Sequence, residues 1–279
     1  HSLLPAPKLL FCASDAGGAR QLQTVIEEAS KRAWPCRVLC SAVTEPLFTR
    51  SNIAAERIHL ASVSDGATFL QGQNVEVLVI GTTGTIGNER YLTAAARTCG
   101  IGSVAVLDEW YNYAMRFQDE EGNLGTYLPD VICIQDELSR KLALQEGLPA
   151  GILRITGSPD LAELTLRARA FLEHPPPPPA LLTTLASVPS ILFLSQPLLR
   201  AYGRGPGESG TSGTFLGYQE ESVREDLADI LSHMDRDILV LEKLHPSDTR
   251  KKPPSTANNI HWHVEGGSDD LWPLLLHAD

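Results

Sequence analysis

The chain has 279 residues, a formal charge of −11, 43% apolar residues and 20% charged residues. That length serves one large core or two modest ones, and usual domain sizes favour two, while the composition is that of an ordered globular protein. The acidic balance excludes a general nucleic-acid or membrane-surface binder, which needs a positive field, yet leaves room for phosphate held locally by backbone amides.

In chain order, "KLLFCAS" reads as a buried strand, then "DAGGAR" as a turn opening the amphipathic stretch "QLQTVIEEASKRA". "CRVLCSA", "RIHLAS" and "VEVLVIGTT" follow as strands, then the helix "NERYLTAAARTCG", the strands "GSVAVLD" and "DVICIQD", the helix "ELSRKLALQEG" and the strand "GILRITGSPDL". Continuous Val, Ile and Leu runs separated by helices mark a parallel sheet covered on both faces. Six or seven strands make one doubly wound domain, placed at residues 1–172.

"HPPPPPALLTTLASVPS" comes next, and its proline run cannot enter a helix or central strand. Residues 173–189 therefore read as a proline-rich linker. Strand–helix alternation resumes at 190–279 with "SILFLSQP", "VREDLADILSHM", "DILVLEKLHP", "NIHWHVEG" and "DDLWPLLLHAD". Three strands and two helices are too few for a sheet covered on both sides, so this second unit reads as incomplete. Residues 200–220, rich in Gly and Ser, read as a mobile loop between strand and helix.

The five cysteines, Cys12, Cys36, Cys40, Cys99 and Cys133, include no CxxC pair. Zinc and thioredoxin-type readings are poor, and reduced, buried thiols are the expectation. No apolar stretch reaches membrane-spanning length and no signal-peptide pattern opens the chain, so a cytoplasmic protein without an integral membrane segment is expected.

Strand ends supply the candidates for chemistry. Asp15, Gly17 and Gly18 follow the first strand, where glycines let a ligand approach the backbone and free amides at a helix start favour a negative group. The same glycines are also explained by a tight strand–helix turn. Asp108 and Glu109 close "GSVAVLD", where parallel sheets place ligand-contacting groups. Either acid can take a proton from an acceptor hydroxyl; Asp108 can instead cap the next turn, or one of them can pair with Arg116. Glu109 is the preferred base. "EWYNYAMRF" offers rings for stacking a sugar or for anchoring a loop, and Phe117 reads as core.

Ser195 and Gln196 end the first strand of the second unit. His245, fixed by Pro246 and followed by Ser247, ends "DILVLEKL", where an imidazole can donate to a phosphate or aid a leaving group. Lys243 alternates to another face and is expected at the surface. His261 and His263 share one side of a strand, which reads as an edge-strand face without a third ligand for a metal. No Ser-His-Asp order, P-loop or EF-hand loop is present; "GTTGTIGNER" lacks the Gly-Lys-Ser/Thr ending of a Walker loop.

Taken in order, "SDAGGARQLQTVIEEA", "VIGTTGTIGNERYLTAAARTCGIGSVAVLDEW", "LPDVICIQDELSRKLALQEGLPAGILRITGSPDL" and "ILVLEKLHPSD" resemble the UDP-N-acetylglucosamine 2-epimerase and glycosyltransferase superfamily of GT-B fold. The resemblance covers most of the chain. It implies α/β architecture with two Rossmann-like doubly wound parallel-sheet domains, the second incomplete. It also implies a nucleotide-sugar donor and a glycan or lipid-linked acceptor, with no cofactor, no metal and no nucleic acid. Asp15, Gly17 and Gly18 would face the acceptor, Asp108, Glu109 and His245 would act in catalysis, and Ser195, Gln196 and Ser247 would meet the donor.

Where the epimerases carry a His-Arg-Glu-Asn-like stretch, this chain reads "SQPL", which resembles instead the capsule or polysaccharide transferases. A glycosyltransferase of polysaccharide biosynthesis is the leading expectation. A hydrolysing UDP-N-acetylhexosamine 2-epimerase and a non-catalytic nucleotide-binding relative are the alternatives.

Overall fold

The computed structural model describes residues 7–210, 213–245, 252–266 and 271–278. They form two compact units, His1–Ala168 and Arg169–Asp279.

The first unit runs β1 (Leu9–Ala13), α1 (Ala16–Lys31), β2 (Cys36–Cys40), α2 (Glu45–Arg50), β3 (Glu56–Arg57), α3 (Val63–Gln71), β4 (Val77–Ile80), α4 (Asn88–Cys99), β5 (Gly102–Val106), β6 (Val131–Ile134), α5 (Glu137–Gln145) and β7 (Leu153–Ile155). Its seven strands lie in the order β3-β2-β1-β4-β5-β6-β7, and every pair is parallel. The order reverses at β1, which pairs with β2 on one side and β4 on the other, with Leu9 opposite both Cys36 and Val77.

Period-two side-chain alternation explains the unbroken apolar runs. Leu10 and Cys12 face a core built with Leu70, Leu92, Ala95 and Ala143 from α3, α4 and α5. Leu9, Phe11 and Ala13 face the other way, onto Leu22, Ile26 and Phe48 from α1 and α2. On that second side an apolar cavity of about 330 Å³ lies between α1 and the sheet, with Val104, Val106 and Cys133 in its wall. "RIHLAS", expected as a full strand, enters the ladder only at its first residue, Arg57, next to Glu56. It lies at the sheet edge, where a short strand leaves few open backbone groups.

The boundary between the units falls inside α6 (Pro159–Glu173). Pro175–Pro179 are irregular, as their missing amides require. The second unit continues with α7 (Ala180–Thr184), β8 (Ser190–Leu194), α8 (Leu198–Tyr202), α9 (Glu220–Ser232), β9 (Ile238–Lys243), β10 (Ile260–Glu265) and α10 (Trp272–His277). Its three strands are parallel in the order β10-β9-β8.

Leu239 and Leu241 of β9 pack on Leu182 of α7 and Leu274 of α10. Val240 and Ile238 pack on Leu231 of α9. Among the described residues, 190–279 thus hold three helices rather than two, and a further one, α7, lies within 173–189, the stretch expected as linker. The last turn of α8 runs into 200–220, the stretch expected as loop. Among the described residues no helix is long and apolar enough to cross a membrane.

Candidate functional site

In the first unit the strand ends of β1, β4 and β5 meet around the opening of α1. Asp15 is its N-cap: Oδ1 accepts from the Gly17 amide at 2.9 Å. The start of α1 is thereby engaged by the chain's own carboxylate, which restricts its use for a phosphate. The two glycines do different work. A Cβ on Gly17 would run into the Asp108 carboxylate, so the bare Cα makes room for that acid. A Cβ on Gly18 would lie 3.0 Å from the Gly81 Cα, and one on Gly81 2.8 Å from the Gly18 Cα. Backbone meets backbone there, and a side chain on either would push α1 off β4.

Asp108 does not cap a turn. Its Oδ1 accepts from Arg116 Nη1 at 2.7 Å, and both side chains are about 8% exposed. The same Nη1 donates to Thr82 Oγ1 at 2.7 Å, and that hydroxyl lies 3.3 Å from Asp108. Arg116 Nε is buried without a hydrogen-bond partner among the described residues.

Glu109, next in the chain, is half-buried, and its carboxylate has no hydrogen-bond or ion-pair partner among the described residues. Burial first, and then the charge of Asp108, push its pKa above the usual carboxylate value; Arg116 works against them. The paired and unpaired acids at one strand end are set apart by a single guanidinium.

The segment carrying these acids is held from several directions. Gln135 donates to the carbonyls of Leu107 and Glu109, and Trp110 Nε1 donates to Asp136 at 2.8 Å. Asp136 also caps α5, accepting from Ser139 N at 2.7 Å. These hydrogen bonds to its charged form lower its pKa, the one from the Ser139 backbone most. The guanidinium of Arg90 donates to the carbonyls of Arg116, Gln118 and Met115, and Glu146 accepts from Ala114 N at 2.8 Å. Tyr113 and Phe117 are buried, so the aromatic segment anchors in the core, while Tyr111 stands 57% exposed.

In the second unit Ser195 is buried and Gln196 exposed at the end of β8, and the Ser195 amide donates to the Lys243 carbonyl at 2.9 Å. His245 is half-buried two residues beyond β9. Ser247 lies outside the described residues. Lys243 is buried rather than at the surface, and its ammonium donates to the Gly266 carbonyl beyond β10.

Glu242 beside it is fully buried, held by Arg224 Nε at about 2.9 Å and by Trp262 Nε1 at 2.9 Å. His261 and His263 lie on β10, the edge strand, and His263 Nε2 sits 2.9 Å from Glu265. No group of three His, Cys, Asp or Glu among the described residues could hold a metal ion.

The structure therefore gathers Asp15, Gly17, Gly18, Asp108 and Glu109 at one sheet edge, and Ser195, Gln196 and His245 at the corresponding edge of the other sheet. Sequence reasoning missed Thr82 and Glu89 as members of the first group. Glu89, at the start of α4, is 1% exposed and accepts from the Ser14 amide.

No family model and no curated protein matches the chain. Solved structures do. S. aureus MnaA, in a structure with UDP, is 11% identical and matches with a TM-score of 0.61 over 97% of this chain and 72% of its own. Acinetobacter baumannii MurG is 13% identical with a TM-score of 0.55, covering 98% and 70%. The UDP-GlcNAc 2-epimerase of Neisseria meningitidis, bound to UDP-GlcNAc, is 15% identical with a TM-score of 0.54, covering 96% and 74%. At these identities the likeness is one of fold: the chain has the GT-B-like α/β fold that UDP-GlcNAc 2-epimerases share with MurG.

Proposed function

We propose that this protein is a glycosyltransferase that moves a sugar or related group from a nucleotide-activated donor to a glycan or lipid-linked acceptor. The observation that carries the reading is the division between two adjacent acids. Asp108 is consumed by Arg116 and Thr82, while Glu109 has a raised pKa and no hydrogen-bond or ion-pair partner among the described residues. A carboxylate in that state is suited to take a proton from an acceptor hydroxyl. The acceptor oxygen then bonds to the anomeric carbon, the bond from that carbon to the donor phosphate breaks, and the nucleotide leaves with the electron pair.

In this reading Asp15, Gly17 and Gly18 shape the acceptor side, with Asp108 holding the geometry beside Glu109. On the second unit, His245, Ser195, Gln196 and Ser247 are the residues proposed to meet the donor phosphate.

Isothermal titration against UDP-, CDP- and GDP-linked sugars tests the donor assignment, and silence across the panel removes it. Glu109→Gln is expected to lower kcat/KM by about 10²–10⁴-fold, the usual worth of a general base, with donor affinity kept. Because the Glu109 pKa is raised, activity is expected to fall on acidification at a pH above the ordinary carboxylate range.

A second reading, a hydrolysing 2-epimerase, is supported by the recurrence of UDP-GlcNAc 2-epimerases among the solved structures of this fold. It predicts free UDP and an epimerised sugar from UDP-GlcNAc with no acceptor present. A protein that binds nucleotide without turnover would leave Glu109→Gln indistinguishable from the parent in every such assay.

A further inference from the structure

Ser14, the residue between β1 and the Asp15 cap of α1, has all its polar groups taken by side chains from other elements. Its amide donates to Glu89 Oε1 at 2.5 Å. Its hydroxyl accepts from Asn88 Nδ2 at 3.2 Å, and its carbonyl accepts from Ser41 Oγ at 2.8 Å. The preceding carbonyl, that of Ala13, accepts from Thr44 Oγ1 at 2.7 Å. Asn88 is itself fixed, accepting from the Leu60 amide at 2.8 Å and donating to the Ile58 carbonyl at 3.2 Å. One turn is thus tied to α4, to the turn between β2 and α2, and to the segment after β3.

The Glu89 part of this arrangement is costly. The side chain is 1% exposed, and Oε2 has no hydrogen-bond partner among the described residues. Burying a carboxylate with half its acceptors empty works against folding, and a leucine would fill the same space without that cost. What leucine cannot supply is an acceptor for the Ser14 amide. That amide leads directly into Asp15, whose carboxylate caps Gly17, and Gly17 in turn gives room to Asp108, the neighbour of Glu109.

We infer that Glu89 is a positioning residue: by accepting the Ser14 N–H it fixes the Asp15–Gly18 turn against Asp108 and Glu109 at the strand edge. Its part in turnover rests on the transfer reading above; its hold on the turn does not.

The test compares Glu89→Leu with Glu89→Gln in the full chain, by amide hydrogen exchange over residues 14–19 and by turnover. Gln keeps a carbonyl oxygen for Ser14, and Leu does not. Glu89→Leu is expected to speed exchange in that turn by about tenfold or more, the worth of a lost hydrogen bond to a charged group, and to lower kcat by about tenfold or more with donor KM kept, since small misplacements near reacting groups are costly. Glu89→Gln is expected to restore both to within about threefold of the parent, a difference below 1 kcal/mol.

Exchange in Glu89→Leu equal to the parent overturns the inference, and so does kcat unchanged in that variant. If the parent itself shows no transfer, the transfer reading fails, and the exchange comparison alone decides whether Glu89 holds the turn. Should Glu89→Leu not fold, Glu89→Met, which also lacks the acceptor, takes its place in both measurements.

Discussion

The two parallel sheets handle polar residues at their strand ends in different ways. In the seven-stranded sheet they are wired mainly to backbone: Thr44 to Ala13, Asn88 to Ile58 and Leu60, Gln135 to Leu107 and Glu109. In the three-stranded sheet two consecutive charged residues, Glu242 and Lys243, stay inside β9 and are buried. Glu242 there depends on Arg224 from α9. Beside the Asp108–Arg116 pair and the buried Glu89, the large sheet spreads its polar cost over many bonds to backbone. The small one concentrates it in an ion pair, between two apolar clusters of only four buried side chains each among the described residues. A small core has less burial to offset a lost partner.

The largest expected effect follows from that concentration. Arg224→Met strips Glu242 of its cation in a site with no access to water, and breaking such a pair costs about 3–5 kcal/mol. Hydrogen exchange over β9 should rise sharply, while β1 and β4 keep their protection. Adding Glu242→Leu should recover most of the loss, because an apolar replacement of both partners leaves no charge stranded. Recovery that fails would break the contrast drawn between the sheets.

Arg116→Met is the matching change in the first unit. It leaves Asp108 with Thr82 alone, and losing a hydrogen bond to a charged group costs about 1.5–3 kcal/mol. The expected ordering is Arg224 above Arg116, read by chemical denaturation of each variant. Equal losses would mean that the larger sheet shelters its ion pair no better than the small one.

Much of this architecture was legible from the chain alone. The runs around Leu10, Val79, Ala105 and Ile132 are apolar on both faces, which only a doubly covered parallel sheet demands. The proline stretch at 175–179 could not be regular. The wiring was less legible, for identifiable reasons.

Arg224 shares a stripe with Ala228 and Leu231, at spacings of four and seven; reading that phase would have marked it as inward-facing despite its charge. Lys243 alternates with Glu242 along a strand sandwiched between helices on both faces, so neither side of the strand offered a surface. Glu89 gave no such signal. The start of α4 is buried at Asn88, Glu89 and Arg90 in succession, and a helix enclosed all round has no polar face to betray which charges are inside.

Gly81→Ala sharpens the comparison from the steric side. Its Cβ would come 2.8 Å from the Gly18 Cα, with both partners backbone; overpacking of this kind costs about 1–3 kcal/mol. Gly151→Ala, where a Cβ meets nothing within 4 Å, is the control and should stay within about 0.5 kcal/mol. A tolerated Gly81→Ala would show that the junction of α1 with β4 gives way, and that the backbone wiring of the large sheet is looser than its hydrogen bonds indicate.

The smallest effect is a pH dependence confined to the first unit. Burial is the main cause that raises the Glu89 pKa, with Asp15 adding to it, while the Ser14 amide and its own backbone amide work against them. For an acid shifted upward the folded state binds the proton more tightly than the unfolded chain does. The stabilisation is therefore fully present below the unfolded carboxylate value of about 4.3, and drains away as pH rises through the folded value. Asp136 runs the other way: its lowered pKa gives stability above the unfolded aspartate value that is lost on acidification. Denaturation midpoints across this range, compared between the parent and Glu89→Gln, isolate the first contribution. The variant should lose the Glu89 share of the decline on the alkaline side, keeping the share of Glu109, whose pKa is also raised, and should keep the decline on the acid side. A parent and variant with parallel profiles would mean that Glu89 carries the same charge before and after folding, and that the cost assigned to burying it is borne elsewhere.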